Sequence, residues 1–199
     1  IPHGLGVAPD MVITKNLDVA EGWAVYHTSL GPTKFLKLND SAAVGTGTGY
    51  WNDTAPSATL VTLGNDGGVN QDTKNMVAYC FTNKTGYSKF GDYVGNGDAD
   101  GTFVYTGFRP AFVLIKRWDL AGDWMLFDSK RDGYNVDNNN LNPNLADAEG
   151  TTDYLDLVSN GFKFRVSDSL VNGSGDEYVY AAFAEFPIVS SNDVPTVAR

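Results

Sequence analysis

Three residues have the spacing of a cation-binding loop: Asn96, Asp98 and Asp100, within Asn96-Gly97-Asp98-Ala99-Asp100-Gly101. Calcium loops begin this way, with oxygen-bearing side chains at alternate positions and a glycine at the turn that aims them inward. The bidentate Glu that closes such a loop at its twelfth position is absent, because that position is Gly107. Calcium is therefore the one candidate cofactor, at a site that needs a carboxylate from elsewhere. The competing reading is an ordinary Gly/Asp turn between strands.

A second set of residues suits a neutral, hydroxyl-rich ligand. A sugar ring is held by flat aromatic faces and by amides that both donate and accept hydrogen bonds. Trp51, Trp118 and Tyr134 offer the faces, and Asn138 and Asn140, in the asparagine-rich run 138–144, offer the amides. Trp23 and Trp124 sit inside apolar runs and are expected in the core.

Covalent and acid–base catalysis find little material. His3 and His27 are the only histidines, Cys80 is the only cysteine, and neither GxSxG nor HExxH occurs. His27, at the end of an expected strand, reads as a surface residue. Cys80, inside an apolar run, reads as an inert buried thiol. The four glutamates, Glu21, Glu149, Glu177 and Glu185, are scattered. Glu177 and Glu185 share a strand but stand about 26 Å apart along it, too far for a glycosidase pair. The chain is not read as an enzyme.

The elements that must carry these residues are strands. Apolar residues alternate or run in short blocks between Gly-, Asn- and Asp-rich turns, and no stretch sustains the i, i+3, i+4, i+7 spacing of a helix. Strands are expected near 10–15, 22–28, 35–38, 60–63, 76–81, 111–115, 124–127, 154–158, 162–166 and 178–186. The glycine- and tyrosine-rich stretch 86–101 is expected to be a connection, and 131–150 a long polar loop. The net charge of −10 argues against a nucleic-acid partner, which needs clustered cations. No apolar run approaches the length of a membrane-spanning helix.

The stretch from Gly107 to Ser129 repeats the stretch from Gly6 to Thr28 without a gap. Pro9 and Pro110, Lys15 and Lys116, Asp18 and Asp119, and Trp23 and Trp124 are each 101 positions apart. The strings VNQDTKNMVAYCF and VNGSGDEYVYAAF, which begin at Val69 and Val171, align at an offset of 102. A Pro-Lys-Asp-Trp frame held over this length indicates an internal duplication of about a hundred residues. In that alignment Trp118 replaces Leu17 in an exposed turn, which makes it the foremost stacking candidate. The expected fold is all-β: one sandwich over 1–199, a concanavalin-A-like jelly roll of about a dozen strands. Repeat 1 covers about 1–86 and repeat 2 about 102–187. Two small sandwiches in tandem are the alternative.

The strings YSKFGDYVGNGDADGTFVYTGFRPAFVLIKR (87–117), DWMLFDSKRD (123–132), SNGFKFR (159–165) and YVYAAFAEFP (178–187) occur with PHGLGVAPDMVITKN near the start, followed by GWAVYH. Together they resemble a domain of unknown function that recurs in structural and tail-fibre-like proteins of marine bacteriophages, cyanophages among them. The resemblance covers nearly the whole chain. It implies a virion component on an exposed appendage, serving host attachment or display. Its implied partners are other virion proteins, copies of itself in a homotrimer, and a glycan of the host cell surface. A capsid-decorating or assembly protein without a ligand is the first alternative, and a glycan depolymerase the second.

Overall fold

The structure, a computed structural model, describes residues 1–131, 135–136 and 139–187. The chain divides into two compact units, Ile1–Thr82 and the residues from Asn83 onward. The fold is nearly all β, with three antiparallel sheets among the described residues. In the first unit, β1 (Met11–Asn16), β2 (Ala24–His27), β3 (Lys34–Lys37), β4 (Gly45–Thr46) and β5 (Met76–Phe81) form a sheet in the order β4-β3-β2-β1-β5. One short helix, α1 (Thr48–Trp51), follows β4. The second unit holds β6 (Ser88–Val94), β7 (Phe103–Tyr105), β8 (Pro110–Arg117), β9 (Trp124–Asp128), β10 (Asn140–Leu141), β11 (Leu155–Val158), β12 (Gly161–Phe164) and β13 (Glu177–Ala184). Its sheets run β10-β9-β8-β13-β6 and β11-β12-β7.

The two units share a pairing register. Met11 lies opposite His27 and Thr14 opposite Ala24. Phe112 lies opposite Asp128 and Ile115 opposite Met125, each residue 101 positions further on. On the other side of the same strands Met11 faces Phe81 and Phe112 faces Phe183, so the third strand follows at 102. The order β2-β1-β5 thus corresponds to β9-β8-β13.

The residues that mark the repeat have matching jobs. Asp18 accepts the Asn75 main-chain N–H at 2.7 Å, and Asp119 accepts that of Glu177, 102 positions on. Each carboxylate fixes the start of the strand that completes its triplet. Lys15 Nζ donates to the carbonyls of Asn16, Val19 and Glu21, at 2.6, 3.3 and 3.1 Å, and so closes the turn after β1. Lys116, fully buried, donates to the Arg117 carbonyl. The Trp23 main-chain N–H donates to Asn39 Oδ1 at 2.8 Å and the Trp124 main-chain N–H to Asn144 Oδ1 at 2.9 Å. Asp66 accepts the Gly68 N–H at 2.9 Å, and Asp168 that of Leu170 at 2.7 Å.

Each unit has a core of its own. In the second, Tyr93, Val113, Ile115, Met125, Phe127, Tyr178 and Tyr180 from the larger sheet pack with Val104, Leu155, Leu157, Phe162 and Phe164 from the smaller one. Tyr93 and Tyr178 stack with centroids 4.9 Å apart. In the first, Val12, Ala24, Tyr26, Val61 and Val69 surround Trp51.

Several expectations are corrected. Residues 60–63 make only an isolated bridge, Leu60 to Pro2, and no strand. The stretch 86–101 contains β6, the edge strand of the larger sheet. Gly91, which reads as a turn residue, lies opposite Tyr180 within that strand. A Cβ there would come within 2.9–3.1 Å of the Tyr180 ring, so glycine lets the ring lie over the backbone. His27 is buried at 2% exposure, not at the surface. Trp124 is buried as expected, whereas Trp23 is half-buried.

Candidate functional site

The strand directions bring three connections to one end of the second unit: 95–102 after β6, 118–123 after β8, and 165–176 before β13. Glu177 opposite Val94 and Tyr178 opposite Arg117 fix this arrangement. Asn96, Asp98, Asp100 and Trp118 therefore share one loop-bearing end.

The Asn96–Gly101 loop is closed by groups of the chain itself. Asn96 Oδ1 accepts the Asp98 N–H at 3.0 Å, and Asp98 Oδ1 accepts the Asp100 N–H at 2.8 Å. Asn96 Nδ2 donates to the Asp100 carbonyl at 3.0 Å. Asp100 pairs with Lys163 Nζ at 2.8 Å, which holds its carboxyl below the usual carboxylate range. Among the described residues, no three His, Cys, Asp or Glu side chains form a group suited to a metal ion. A cation here would draw on Asn96, Asp98 and Asp100 and would compete with Lys163.

Asn172, fully buried, pins the loop. Its Oδ1 accepts the Asn96 N–H at 3.1 Å, and its Nδ2 donates to Asn96 Oδ1, the Asp98 carbonyl and the Val166 carbonyl at 2.8–2.9 Å. Gly101 makes the close approach feasible: a Cβ there would lie 2.6 Å from Phe164 Cβ and 2.8 Å from Asn172 Nδ2. The repeat counterpart Asn70 is exposed and donates to the Gly64 carbonyl. The asparagine at the matching position in the second unit thus anchors a loop, which Asn70 does not do in the first.

Beside it, Arg117 binds two carboxylates at once. Its guanidinium reaches Asp119 at 2.9 and 3.3 Å and both oxygens of Asp176 at 2.8 Å. Two-pronged pairing of this kind fixes direction as well as charge. Burial works against ionisation of Asp119, but Arg117 and the Glu177 N–H outweigh it, and its pKa is lowered. The Tyr178 hydroxyl donates to the Ser169 carbonyl and accepts the Gly173 N–H, at 2.8 and 2.9 Å, and burial pushes its pKa up. These groups hold the 118–123 and 165–176 connections to the sheet.

Trp118 stands on this framework. Its main-chain N–H donates to the Glu177 carbonyl at 3.1 Å, and the residue is half-buried. The other sugar-site candidates are placed differently. Trp51 is 1% exposed within the first unit's core, edge-on to Tyr26, so it packs and presents no stacking face. Asn140 is 4% exposed; its main chain pairs with Gly150 and its side chain donates to Asn142. Asn142 and Asn144 bind the Trp124 carbonyl and Asp123, at 3.0 and 2.7 Å. These asparagines finish the edge of β9. Tyr134 and Asn138 lie outside the described residues. Arg117, Asp176 and Asn172 went unnoticed in the sequence; the repeated Val-Asn pair at 69–70 and 171–172 was the one available signal for Asn172.

The fold and this end define an all-β protein with polar, hydrogen-bonded loops set on rigid sheets. The chain belongs to the DUF7483 family, a domain of unknown function whose model matches residues 1–187. No curated protein and no solved structure matches it.

Proposed function

We propose that the chain is a non-enzymatic structural module of a bacteriophage virion, carried on an exposed, tail-fibre-like appendage and serving host attachment or display. The sequence resemblance to phage structural proteins supports this reading. The observation that carries the recognition part is Trp118, half-buried and anchored at an end whose framework is fixed by Arg117 and Asn172. Binding groups on loops held by rigid sheets are a common route to recognition. The ligand in this reading is a cell-surface glycan. The module is a β-sandwich of jelly-roll type produced by internal duplication. The shared registers and the matched Asp18/Asp119 and Asp66/Asp168 hydrogen bonds support the duplication.

A glycan array run with and without divalent metal tests the recognition part. Retention of a glycan by the intact chain, lost in Trp118→Ala, is the expected result; an unchanged Trp118→Ala profile removes Trp118 from the site. Release of reducing ends would instead favour a depolymerase. Calcium at Asn96, Asp98 and Asp100 is a separable part of the proposal. There, Asp98→Ala should lower the melting temperature more with calcium than without it, because the side chain's bond to the Asp100 N–H is lost in both cases and a bound ion adds stability by mass action only when present. Identical melting curves with and without chelator would remove calcium.

A further inference from the structure

The β5 edge of the first unit's sheet is open where the second unit closes the equivalent edge. The Leu17 N–H donates to the Asn75 carbonyl at 2.9 Å, and the Thr28 N–H to the Asp10 carbonyl at 2.8 Å. With the β1–β5 register of Met11 opposite Phe81 and Asn16 opposite Met76, this phase turns the main-chain groups of Val77 and Tyr79 towards β1. It turns those of Met76, Ala78 and Cys80 outward. Strand β5 ends the sheet, and among the described residues these three make no main-chain hydrogen bond on the outer side. In the second unit Tyr178, Tyr180 and Ala182 stand 102 positions on, and they pair with Tyr93, Gly91 and Lys89 of β6. All of 178–182 is buried there, whereas Met76, Val77, Ala78 and Cys80 are half-buried and Tyr79 is 46% exposed.

An open edge is a template for another strand, and edges that must stay single carry charges, prolines, bulges or a cover. The outer side of β6 is guarded in this way. Its Phe90 N–H donates to Asn83 Oδ1 at 2.8 Å, and its Val94 carbonyl accepts the Thr102 hydroxyl at 3.1 Å. Ser88 is tied to Lys84, and Asp92 adds an exposed charge. Strand β5 has no such guard: residues 75–83 contain no proline, glycine or charged side chain, and the register with β1 is unbroken. The stretch is also self-complementary. Antiparallel pairing about a two-fold axis at Ala78 sets Met76 opposite Cys80 of the second copy and satisfies all three outward residues at once. Val77 then meets Tyr79 of the second copy, a β-branched and aromatic pair that favours pairing. Beyond the strand ends Asp72 comes towards Lys84 of the second copy, and Lys74 towards the neutral Thr82. Copies with a net charge of −10 repel least along such an uncharged strand. We infer that β5 is a docking edge for a second copy of this chain, joined β5 to β5 in an antiparallel register centred on Ala78. The contact is separate from the proposed homotrimer, because a two-fold pairing joins chains two at a time.

Amide hydrogen exchange of the intact chain, followed residue by residue by NMR over a range of chain concentrations, is the first test. The Met76, Ala78 and Cys80 amides should exchange about tenfold more slowly at high concentration, while Val77 and Tyr79, already bonded to β1, should change little. Exchange independent of concentration would overturn the inference. Oligomers that leave these three amides unprotected would overturn it too, without touching the homotrimer. The second test fixes the partner strand. Two Cys80→Ser chains with different tags, one carrying Val77→Cys and the other Tyr79→Cys, are mixed and oxidised. Opposed residues at this non-hydrogen-bonded position lie within disulfide reach, so the mixed disulfide should exceed either same-variant disulfide by about tenfold. Mixed and same-variant yields in statistical proportion would place another strand or another register on this edge, and would overturn the inference.

Discussion

At the scale of single residues, polar groups beside the strands do much of the positioning. Arg117 is the clearest case, because it holds Asp119 with two hydrogen bonds while a hydrogen bond and an ion-pair contact to Asp176 tie the end of β8 to the connection that precedes β13. The lowered pKa of Asp119 has a definite pH consequence. A carboxyl that is more acidic in the folded state than in the unfolded one stabilises the fold above its unfolded pKa, near 3.8. That contribution is lost as pH falls through the lower, folded value. Asp119→Asn should therefore reduce stability at neutral pH by roughly 1–2 kcal/mol, a charged hydrogen bond discounted for partial exposure. The difference from wild type should shrink below pH of about 4. Denaturant melts at a series of pH values would check this; a constant difference down to the acid limb would assign the effect to something other than charge. His27 and Asp128 show how one position can keep a job while its chemistry changes. His27 Nδ1 accepts the Ser29 N–H at 3.3 Å, and Asp128 Oδ1 accepts the Lys130 N–H at 3.0 Å. Cys80 is half-buried and not fully buried as the sequence suggested, and burial raises its thiol pKa.

At the scale of elements, the triplets β2-β1-β5 and β9-β8-β13 are the units that the sequence repeat describes. Trp23 directly precedes β2 and Trp124 opens β9, 101 positions on; the two differ in burial, so their truncations should differ. Trp124→Ala should cost about 3–5 kcal/mol, the range for large core aromatics, and Trp23→Ala clearly less. Equal losses in equilibrium unfolding would mean that exposure does not set the cost here. The strands of these triplets were legible because their apolar runs are flanked by turn residues and repeat in register. Strand β6 was not, because Gly91 breaks its run and only the Tyr180 ring opposite explains the glycine. The apolar run at 60–63 misled for the converse reason. It carries strand-forming residues, but its ladder stops at one bridge to Pro2. For the candidate site, the Asn96–Gly101 spacing and the connection that carries Trp118 could be read in sequence, but Trp118 is half-buried where the sequence suggested an exposed turn. The Arg117 network could not, since Arg117 and Asp176 are 59 positions apart and meet only when β8 and β13 pair. The asparagine-rich run suggests a ligand surface, but within the described residues Asn140, Asn142 and Asn144 serve the edge of β9 instead.

At the scale of the whole molecule, the proposed role calls for assembly with copies of itself, and a homotrimer is the expected form. Each chain carries a net charge of −10, so association brings like charges together and should strengthen as salt screens them. Light scattering should show the trimer fraction rising with ionic strength. A monomer at every salt concentration would mean that the chain alone does not supply the symmetry. Many copies on one particle would let weak glycan contacts add up to firm adsorption. The central claim is a place on the outside of a virion, and labelling intact particles tests it most directly. An antibody raised against the folded chain should decorate the appendages of purified phage carrying this domain and should slow adsorption to host cells. Particles that bind no antibody until they are disrupted, and that adsorb at the normal rate in its presence, would contradict the account.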